Sequence, residues 1–365
     1  MLVAGNERGG GASHLLALSA ACHDDGERAF YFLVVGRGYL QERLSQTGVD
    51  CLILDGGMRQ VAGNLIRFLR DEKTRRPLQR IFLHAHGPRM NVLACFAAKR
   101  SGVAWTSTLH SDPATDFLPS RLKTLLFARL NVSCLRRATA IFAVNQELVS
   151  IVPGKPVFKV RNGALLQANS VDEETSRQRL RSQLGISSES FVIGMAVRLV
   201  PVKDIPTALR ALALLDHPDV HLAIAGDGPM RAELEQLRQD LNLVQRVHFL
   251  GFLSPIGDFL AGLDIHVMSS VSEGTGLSIL EAGYYGVPNV GTDIAGIRQL
   301  ITDNETGFLF PAGDAQALAD AWQRLFVDSV LRKRLAEAFK SRVLPLYAPR
   351  AMLDSYRTGY EQLEV

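Results

Sequence analysis

The sequence predicts an α/β protein of two Rossmann-like, doubly wound domains facing each other across a cleft. Three observations predict it. A chain of 365 residues, at about 150 residues per domain, argues for two domains. Hydrophobic residues make up 47% and charged residues 21%, which supplies ample core and excludes disordered, collagen-like and mini-protein classes. Short apolar, β-branched runs alternate with amphipathic helical stretches from end to end, the signature of parallel sheets covered on both faces.

A short first strand spans Leu2–Gly5. The further strand candidates of the first half are Phe30–Val35, Cys51–Leu54, Ile81–His86, Val103–Leu109, Thr139–Val144 and Val157–Val160. Helical stretches such as Asn91–Arg100 and Arg121–Arg137 lie between them. The second half repeats the rhythm with Phe191–Arg198, Val220–Ala225, Val247–Leu250, Asp264–Met268, Asn289–Gly291 and Gly307–Phe310. A boundary falls near Arg161-Asn162-Gly163, before the polar stretch Gln167–Arg181. The expected domains are therefore residues 1–165 and 166–345. Residues 346–365 hold a last amphipathic helix, about Pro349–Leu363, expected to pack back on the first domain. In such sheets ligands bind at the carboxyl ends of the strands.

No run approaches the roughly 18–20 apolar residues needed to span a bilayer. The start, Met1-Leu2-Val3-Ala4-Gly5, lacks a basic stretch and apolar core of a leader, so the expectation is a cytoplasmic protein. Cys22, Cys51, Cys95 and Cys134 stand far apart without a CxxC pair, which argues for reduced thiols and against a zinc or disulfide framework. The net charge of +3 hides an asymmetry. Residues 1–170 carry 22 Lys and Arg against 12 Asp and Glu, a balance of +10, and the remainder carries −7. A basic first half suits an anionic surface or substrate. No nucleic-acid motif or interleaved aromatic pattern accompanies it, so nucleic acid is set aside.

The sharpest chemical signal is Val271-Ser272-Glu273-Gly274-Thr275-Gly276-Leu277-Ser278-Ile279-Leu280-Glu281-Ala282-Gly283. It follows a strand and leads into a helix. Glycines let backbone N–H groups approach a ligand, and a helix start offers free donors and a positive dipole end, which suit a phosphate. Glu273 and Glu281 can accept hydrogen bonds from vicinal hydroxyls; the bland alternative is a turn with two solvated glutamates. Arg198 ends a strand and Lys203 follows before the helix Asp204–Leu215, a cationic pair suited to a diphosphate. Gly226-Asp227-Gly228-Pro229 ends another strand, where Asp227 can be a turn residue only. Gly9-Gly10-Gly11-Ala12 joins the first strand to the helix Ser13–Cys22, a weak phosphate-loop candidate.

Together these residues resemble the GT-B glycosyltransferases, specifically the bacterial retaining enzymes of family 4. The resemblance rests on Arg198 and Lys203 in an R-L-x-x-x-K pattern and on Glu273 and Glu281 with seven residues between them. It also rests on Gly226–Pro229, on the phrase Asp293-Ile294-Ala295-Gly296-Ile297-Arg298-Gln299-Leu300-Ile301, and on Gly307-Phe308-Leu309. In the first half it is looser, resting on Gly9–Gly11, Leu83-His84-Ala85-His86-Gly87 and Ser107-Thr108-Leu109-His110-Ser111-Asp112. It implies that Arg198 and Lys203 bind the donor diphosphate and that Glu281 binds the ribose. Glu273, with the N–H groups near Gly276 and Leu277, would hold the transferred sugar. His110 matches the histidine that reaches toward that sugar, and Gly10 and Gly11 match the loop beside the diphosphate. Thr275 stands where the family has a bulky apolar residue, and Asn289 where it has valine.

His84 and His86 share one strand face, but no third metal ligand is spaced for them, so the expectation is that no metal is bound. His86 and Arg89 are read as the acceptor side. His14, His23, His217, His221, His248 and His266 read as surface or satisfied structural residues, and Asn91 as a helix-start residue or anion contact. The resemblance implies a retaining hexosyltransferase, metal-independent and without cofactor. It would use a nucleotide-sugar, UDP by family frequency, and a glycan or lipid-linked acceptor of cell-envelope or exopolysaccharide synthesis. The basic half adds an anionic membrane surface as a partner, reached from the cytoplasmic side. Rival readings are a non-catalytic nucleotide-sugar binding subunit, another GT-B enzyme such as a nucleotide-sugar epimerase, and a two-domain solute-binding protein.

Overall fold

The computed structural model describes residues 1–7, 10–26, 30–110, 121–144, 152, 154–163 and 172–363, with residues 121–125 described in backbone only. The chain divides into two compact units, Met1–Leu165 with Tyr347–Val365, and Leu166–Leu346. The boundary suggested near Arg161-Asn162-Gly163 falls just before residues 164–171, which lie outside the described residues.

The first unit runs β1 (Leu2–Ala4), α1 (Gly10–Asp24), β2 (Phe32–Val35), α2 (Tyr39–Ser45), β3 (Cys51–Leu54) and α3 (Met58–Arg75). It continues with β4 (Phe82–His86), α4 (Pro88–Ser101), β5 (Ala104–Leu109), α5 (Arg121–Leu135), β6 (Ala140–Ala143) and β7 (Val157–Lys159). All strands are parallel in the order β3-β2-β1-β4-β5-β6-β7. The order reverses between β1 and β4, which opens a crevice at their carboxyl ends.

The second unit contains α6 (Glu173–Leu184), β8 (Phe191–Ala196), α7 (Ile205–Leu214), β9 (Val220–Ala225), α8 (Arg231–Asp240), β10 (Val247–Gly251) and α9 (Gly257–Ala261). Then follow β11 (Ile265–Met268), α10 (Leu277–Tyr284), β12 (Asn289–Thr292), α11 (Ala295–Arg298), β13 (Phe308–Phe310), α12 (Ala315–Val327) and α13 (Ser329–Arg342). Its six strands are parallel in the order β10-β9-β8-β11-β12-β13, and the reversal lies between β8 and β11. The strands read as near-continuous apolar runs because both faces are covered; Phe191, Ile193 and Met195 pack in one core and Val192 in another. Arg181 and Asp264 form a buried ion pair at 2.5 Å, and Asp264 also accepts from the Val192 amide at 2.7 Å. These bonds fix α6 to the sheet.

The last helix, α14 (Pro349–Glu361), returns to the first unit. Its Met352, Leu353 and Tyr356 are fully buried in the core that holds Leu15 and Leu18 of α1. Two α/β units with parallel sheets are what the alternation of runs predicts. Among the described residues every expected strand forms, with ends moved by two residues at most. One expectation is corrected. Gly10 and Gly11 are not a loop but the first turn of α1, which starts three residues before the expected Ser13; Gly9 lies outside the described residues.

Candidate functional site

The reversal between β8 and β11 gathers most of the candidate donor residues. Beyond β8, Gly226 lets two loops touch. Its φ is +144°, and a Cβ there would sit 1.8 Å from the Val197 carbonyl oxygen, so no other residue fits. The chain then makes a short 3-10 turn at Pro201–Lys203 before α7. Beyond β11, Ser269 donates its hydroxyl to the carbonyls of Lys203 and Asp204 at 2.9 and 3.0 Å. The Val271 amide bonds the Val202 carbonyl at 2.9 Å. The two loops are thereby stapled edge to edge.

Lys203 and Glu273 meet on this staple. The Lys203 ammonium donates to Glu273 Oε1, which also accepts from the Ser270 hydroxyl at 2.7 Å. Gln299 reaches from beyond α11 to the Gly274 carbonyl at 2.9 Å. Gly276, at φ +66°, caps the start of α10, so Leu277 opens a helix whose first N–H groups have no partner within it. Thr275 and Ser278 flank that start, both buried, with hydroxyls unbonded among the described residues. Ser278 is a polar group that sequence reading passes over; its signal is a hydroxyl three residues from another at a helix start. Glu281 stands one turn further along α10, and burial pushes its carboxyl up to about 7. Behind it, the Asn289 side-chain oxygen accepts from His266 Nδ1 at 2.8 Å, and its amide donates to the Ile279 carbonyl at 3.1 Å.

One expectation changes here. β8 ends at Ala196, so Arg198 lies two residues past the strand, with an exposed side chain that makes no ion pair among the described residues. Lys203 is held by the Glu273 carboxylate. Asp227 accepts from the Gly228 amide at 2.8 Å, as a turn residue does.

The other reversal, between β1 and β4, gathers histidines. His86 ends β4, His110 follows β5 and His14 lies on α1. His86 Nδ1 and His110 Nε2 are 3.1 Å apart, and the rings of His14 and His110 meet edge to face at 4.6 Å between centroids. The third ligand that sequence spacing does not offer is brought in by the fold, since nitrogens of His14, His86 and His110 lie within 4.8 Å of one another. His14 is hydrogen-bonded as a structural histidine would be, to Asn162 and to Tyr356 at 2.9 Å; its place in the cluster is invisible to spacing. The one signal for it is a histidine set directly against the apolar run Leu15–Leu18. His84 points elsewhere, to the Tyr360 hydroxyl at 2.5 Å and Thr108 at 2.7 Å. Burial holds His14 down to about 4 and keeps His84, His86 and His110 well below the usual imidazole value, so all four are neutral at pH 7. Arg89 is exposed in the first turn of α4. Asn91 is structural, bonded to Asn131 at 3.0 Å and Ser107 at 2.7 Å. Ser111 and Asp112 lie outside the described residues.

Residues 176–342 match the family described as Glycosyl transferases group 1. The chain is 26% identical over 287 residues to the N-acetyl-alpha-D-glucosaminyl L-malate synthase of Bacillus anthracis, covering 76% of this chain and 74% of that one. It is 27% identical over 264 residues to the UDP-Gal:alpha-D-GlcNAc-diphosphoundecaprenol alpha-1,3-galactosyltransferase of Escherichia coli, covering 68% and 67%. Among solved structures, Anabaena Alr3699/HepE in complex with UDP and glucose matches with a TM-score of 0.82 at 21% identity, over 99% of each chain. The chain is a glycosyltransferase of the GT-B fold, and residues 176–342, within its second unit, are the stretch that matches the group 1 glycosyl transferases.

Proposed function

We propose that this glycosyltransferase is a retaining enzyme of the family 4 type that moves a hexosyl group from a UDP-sugar to a glycan or lipid-linked acceptor of the cell envelope. The observation that carries the reading is the convergence of Lys203, Glu273 and the opening of α10 at one sheet reversal. In the transfer the bond from the anomeric carbon to the diphosphate breaks and the nucleoside diphosphate leaves. The acceptor oxygen bonds the same face of that carbon, and its proton passes to a diphosphate oxygen. Charge therefore builds on the diphosphate, where Lys203, Arg198 and the N–H groups at Gly276 and Leu277 stabilise it. No metal is needed for this step, because fixed cations and dipoles do that work.

Lys203 must exchange its carboxylate partner for the diphosphate, which leaves Glu273 to accept from the sugar hydroxyls. Glu281 accepts from the ribose. The assignment of His110 to the sugar and of Gly10 and Gly11 to the diphosphate rests on the resemblance alone, and that of His86 and Arg89 to the acceptor on their position at the end of β4 and the start of α4. UDP as the base is supported by the UDP and glucose of the Anabaena complex and by the UDP-Gal in the name of the Escherichia coli relative. The diphosphoundecaprenol in that name supports a lipid-linked acceptor.

A lipid acceptor calls for approach to a membrane, and no described helix is long and apolar enough to cross one. Helix α5 carries exposed Leu126 and Leu130 beside exposed Arg129, with Arg136 and Arg137 following, a pattern suited to an anionic interface.

A thermal-shift screen of UDP, GDP, ADP and TDP and their sugars tests the donor, since preferential binding to the folded state raises Tm. UDP-sugars are expected to raise it most. NMR of the product is expected to show the donor's anomeric configuration. Binding without turnover or donor hydrolysis would identify a binding subunit instead, and an inverted product would overturn the retaining mechanism.

A further inference from the structure

We infer that His14, His86 and His110 form a binding site for one divalent transition-metal ion of the zinc class. The three side chains come from three separate elements, α1, the end of β4 and the residue after β5, and converge at the sheet reversal of the first unit. Each offers a nitrogen within 4.8 Å of the other two. Zinc bonds of about 2.0–2.1 Å in a tetrahedral site set neighbouring nitrogens about 3.3 Å apart. His86 Nδ1 and His110 Nε2 already stand at 3.1 Å, and His14 offers the third nitrogen within the 4.8 Å set.

A second observation is independent of this spacing. His86 is only 6% exposed, yet its Nε2 is buried without a partner among the described residues, as is Nδ1 of His110. Buried polar atoms are normally satisfied, so each of these two rings has a nitrogen to spare beyond the one that faces its neighbour. The donor set selects its class. Three imidazoles with no carboxylate among them suit zinc, copper, nickel or cobalt and do not suit magnesium or calcium.

The outer partners are also in place. The Asn162 side-chain oxygen faces His14 Nδ1, which makes that nitrogen the N–H donor and leaves Nε2 with its lone pair. An outer acceptor that fixes the tautomer and ring direction is the usual support of a metal-bound histidine. The Tyr356 hydroxyl, now on Nε2, keeps its bond to Thr108 at 2.7 Å when the ion takes that nitrogen. His84 is not one of the three, and its nitrogens bond Tyr360, Thr106 and Thr108. Three protein ligands leave a fourth position for water or another oxygen ligand.

The site stands whether or not the donor reading holds, because binding is measured without any sugar. Metal-free protein is titrated with Co²⁺, followed by its visible absorption, and then with Zn²⁺, counted by elemental analysis. One equivalent per chain and the intense bands of a four-coordinate cobalt centre are expected. His86→Ala and His110→Ala are expected to weaken binding at least a hundredfold. The pair His221 and His248 on β9 and β10, 3.2 Å apart, serves as control, and His248→Ala is expected to leave binding unchanged. Should the cluster variants fail to fold, Cu²⁺ electron paramagnetic resonance on the unaltered chain decides, with hyperfine coupling to three imidazole nitrogens expected. Less than one equivalent bound, loss of binding in His248→Ala only, or coupling to two nitrogens or fewer would overturn the site.

Discussion

The ammonium of Lys203 and the carboxylate of Glu273, 70 residues apart in the chain, are ion-paired in the crevice between β8 and β11. With side chains 19% and 11% exposed, the pair is shielded enough that either charge left alone would be poorly solvated. A diphosphate therefore enters by replacing one anion with another on Lys203. Glu273→Gln is expected to tighten binding of the nucleoside diphosphate three- to tenfold while lowering transfer. Calorimetry with UDP alone and a turnover assay would measure the two effects. Weaker UDP binding would show that the carboxylate does not compete for Lys203.

Lys203→Ala and Arg198→Ala are expected to lower turnover about a hundredfold at saturating donor, the scale of a lost transition-state donor. Arg198 is exposed, so its removal should leave Tm within a degree or two. Normal turnover in either variant would make that residue a surface cation.

Glu281 brings a pH dependence. Burial raises its folded carboxyl from 4.5 to about 7. A group raised on folding contributes its stability below the unfolded value and loses it as pH rises through the folded one. The unliganded chain should therefore lose stability between about pH 4.5 and 7. A tenfold change in proton affinity is worth about 1.4 kcal/mol, and partial exposure reduces the sum to about 1–2 kcal/mol. Glu281→Gln is expected to remove that slope in denaturant melts at pH 5 and 8. Donor affinity, which uses the ionised carboxylate, should rise across pH 6–8 in the parent chain and stay flat in the variant. Equal slopes in both chains would sink this role.

Asn289→Val restores the residue that the family resemblance leads one to expect, and it is expected to destabilise. His266 Nδ1 loses its partner and the Ile279 carbonyl loses a donor, a cost of about 1–3 kcal/mol. The double variant His266→Leu with Asn289→Val should recover most of it, because neither polar group is then stranded. Urea melts of the three variants would show whether the pair is coupled.

Helix α5 tests the membrane. Co-sedimentation with anionic vesicles at low salt is expected, and Arg129→Glu with Arg136→Glu should reduce it at least tenfold. The basic stretch from Arg67 to Arg80 should matter less, since its Arg70, Lys73 and Arg80 already bond the carbonyls of Arg100, Gly102 and Leu363. Binding indifferent to lipid charge would favour an acceptor drawn from solution.

Strand positions are legible because a parallel sheet covered on both faces writes each strand as an unbroken apolar run, as in Phe191–Ala196. Gly226 and Gly276 are legible too, because only glycine accepts those backbone angles and approaches. Pairings between distant segments are not. Nothing in the local pattern of His14 announces His86 and His110, since their meeting depends on which strand lies beside β1. The pairing of Lys203 with Glu273 is hidden for the same reason, since it depends on β8 and β11 lying side by side.

The return of α14 has a consequence for synthesis. The second unit is one continuous stretch of chain, whereas the first is closed by residues that leave the ribosome after it. Until Tyr356 and Tyr360 emerge, His14, His84, Thr106 and Thr108 lack hydrogen bonds that they hold in the finished protein. The half that begins the chain is thus the half completed last, and the nascent protein carries a finished second unit while its own first sheet still waits for a helix.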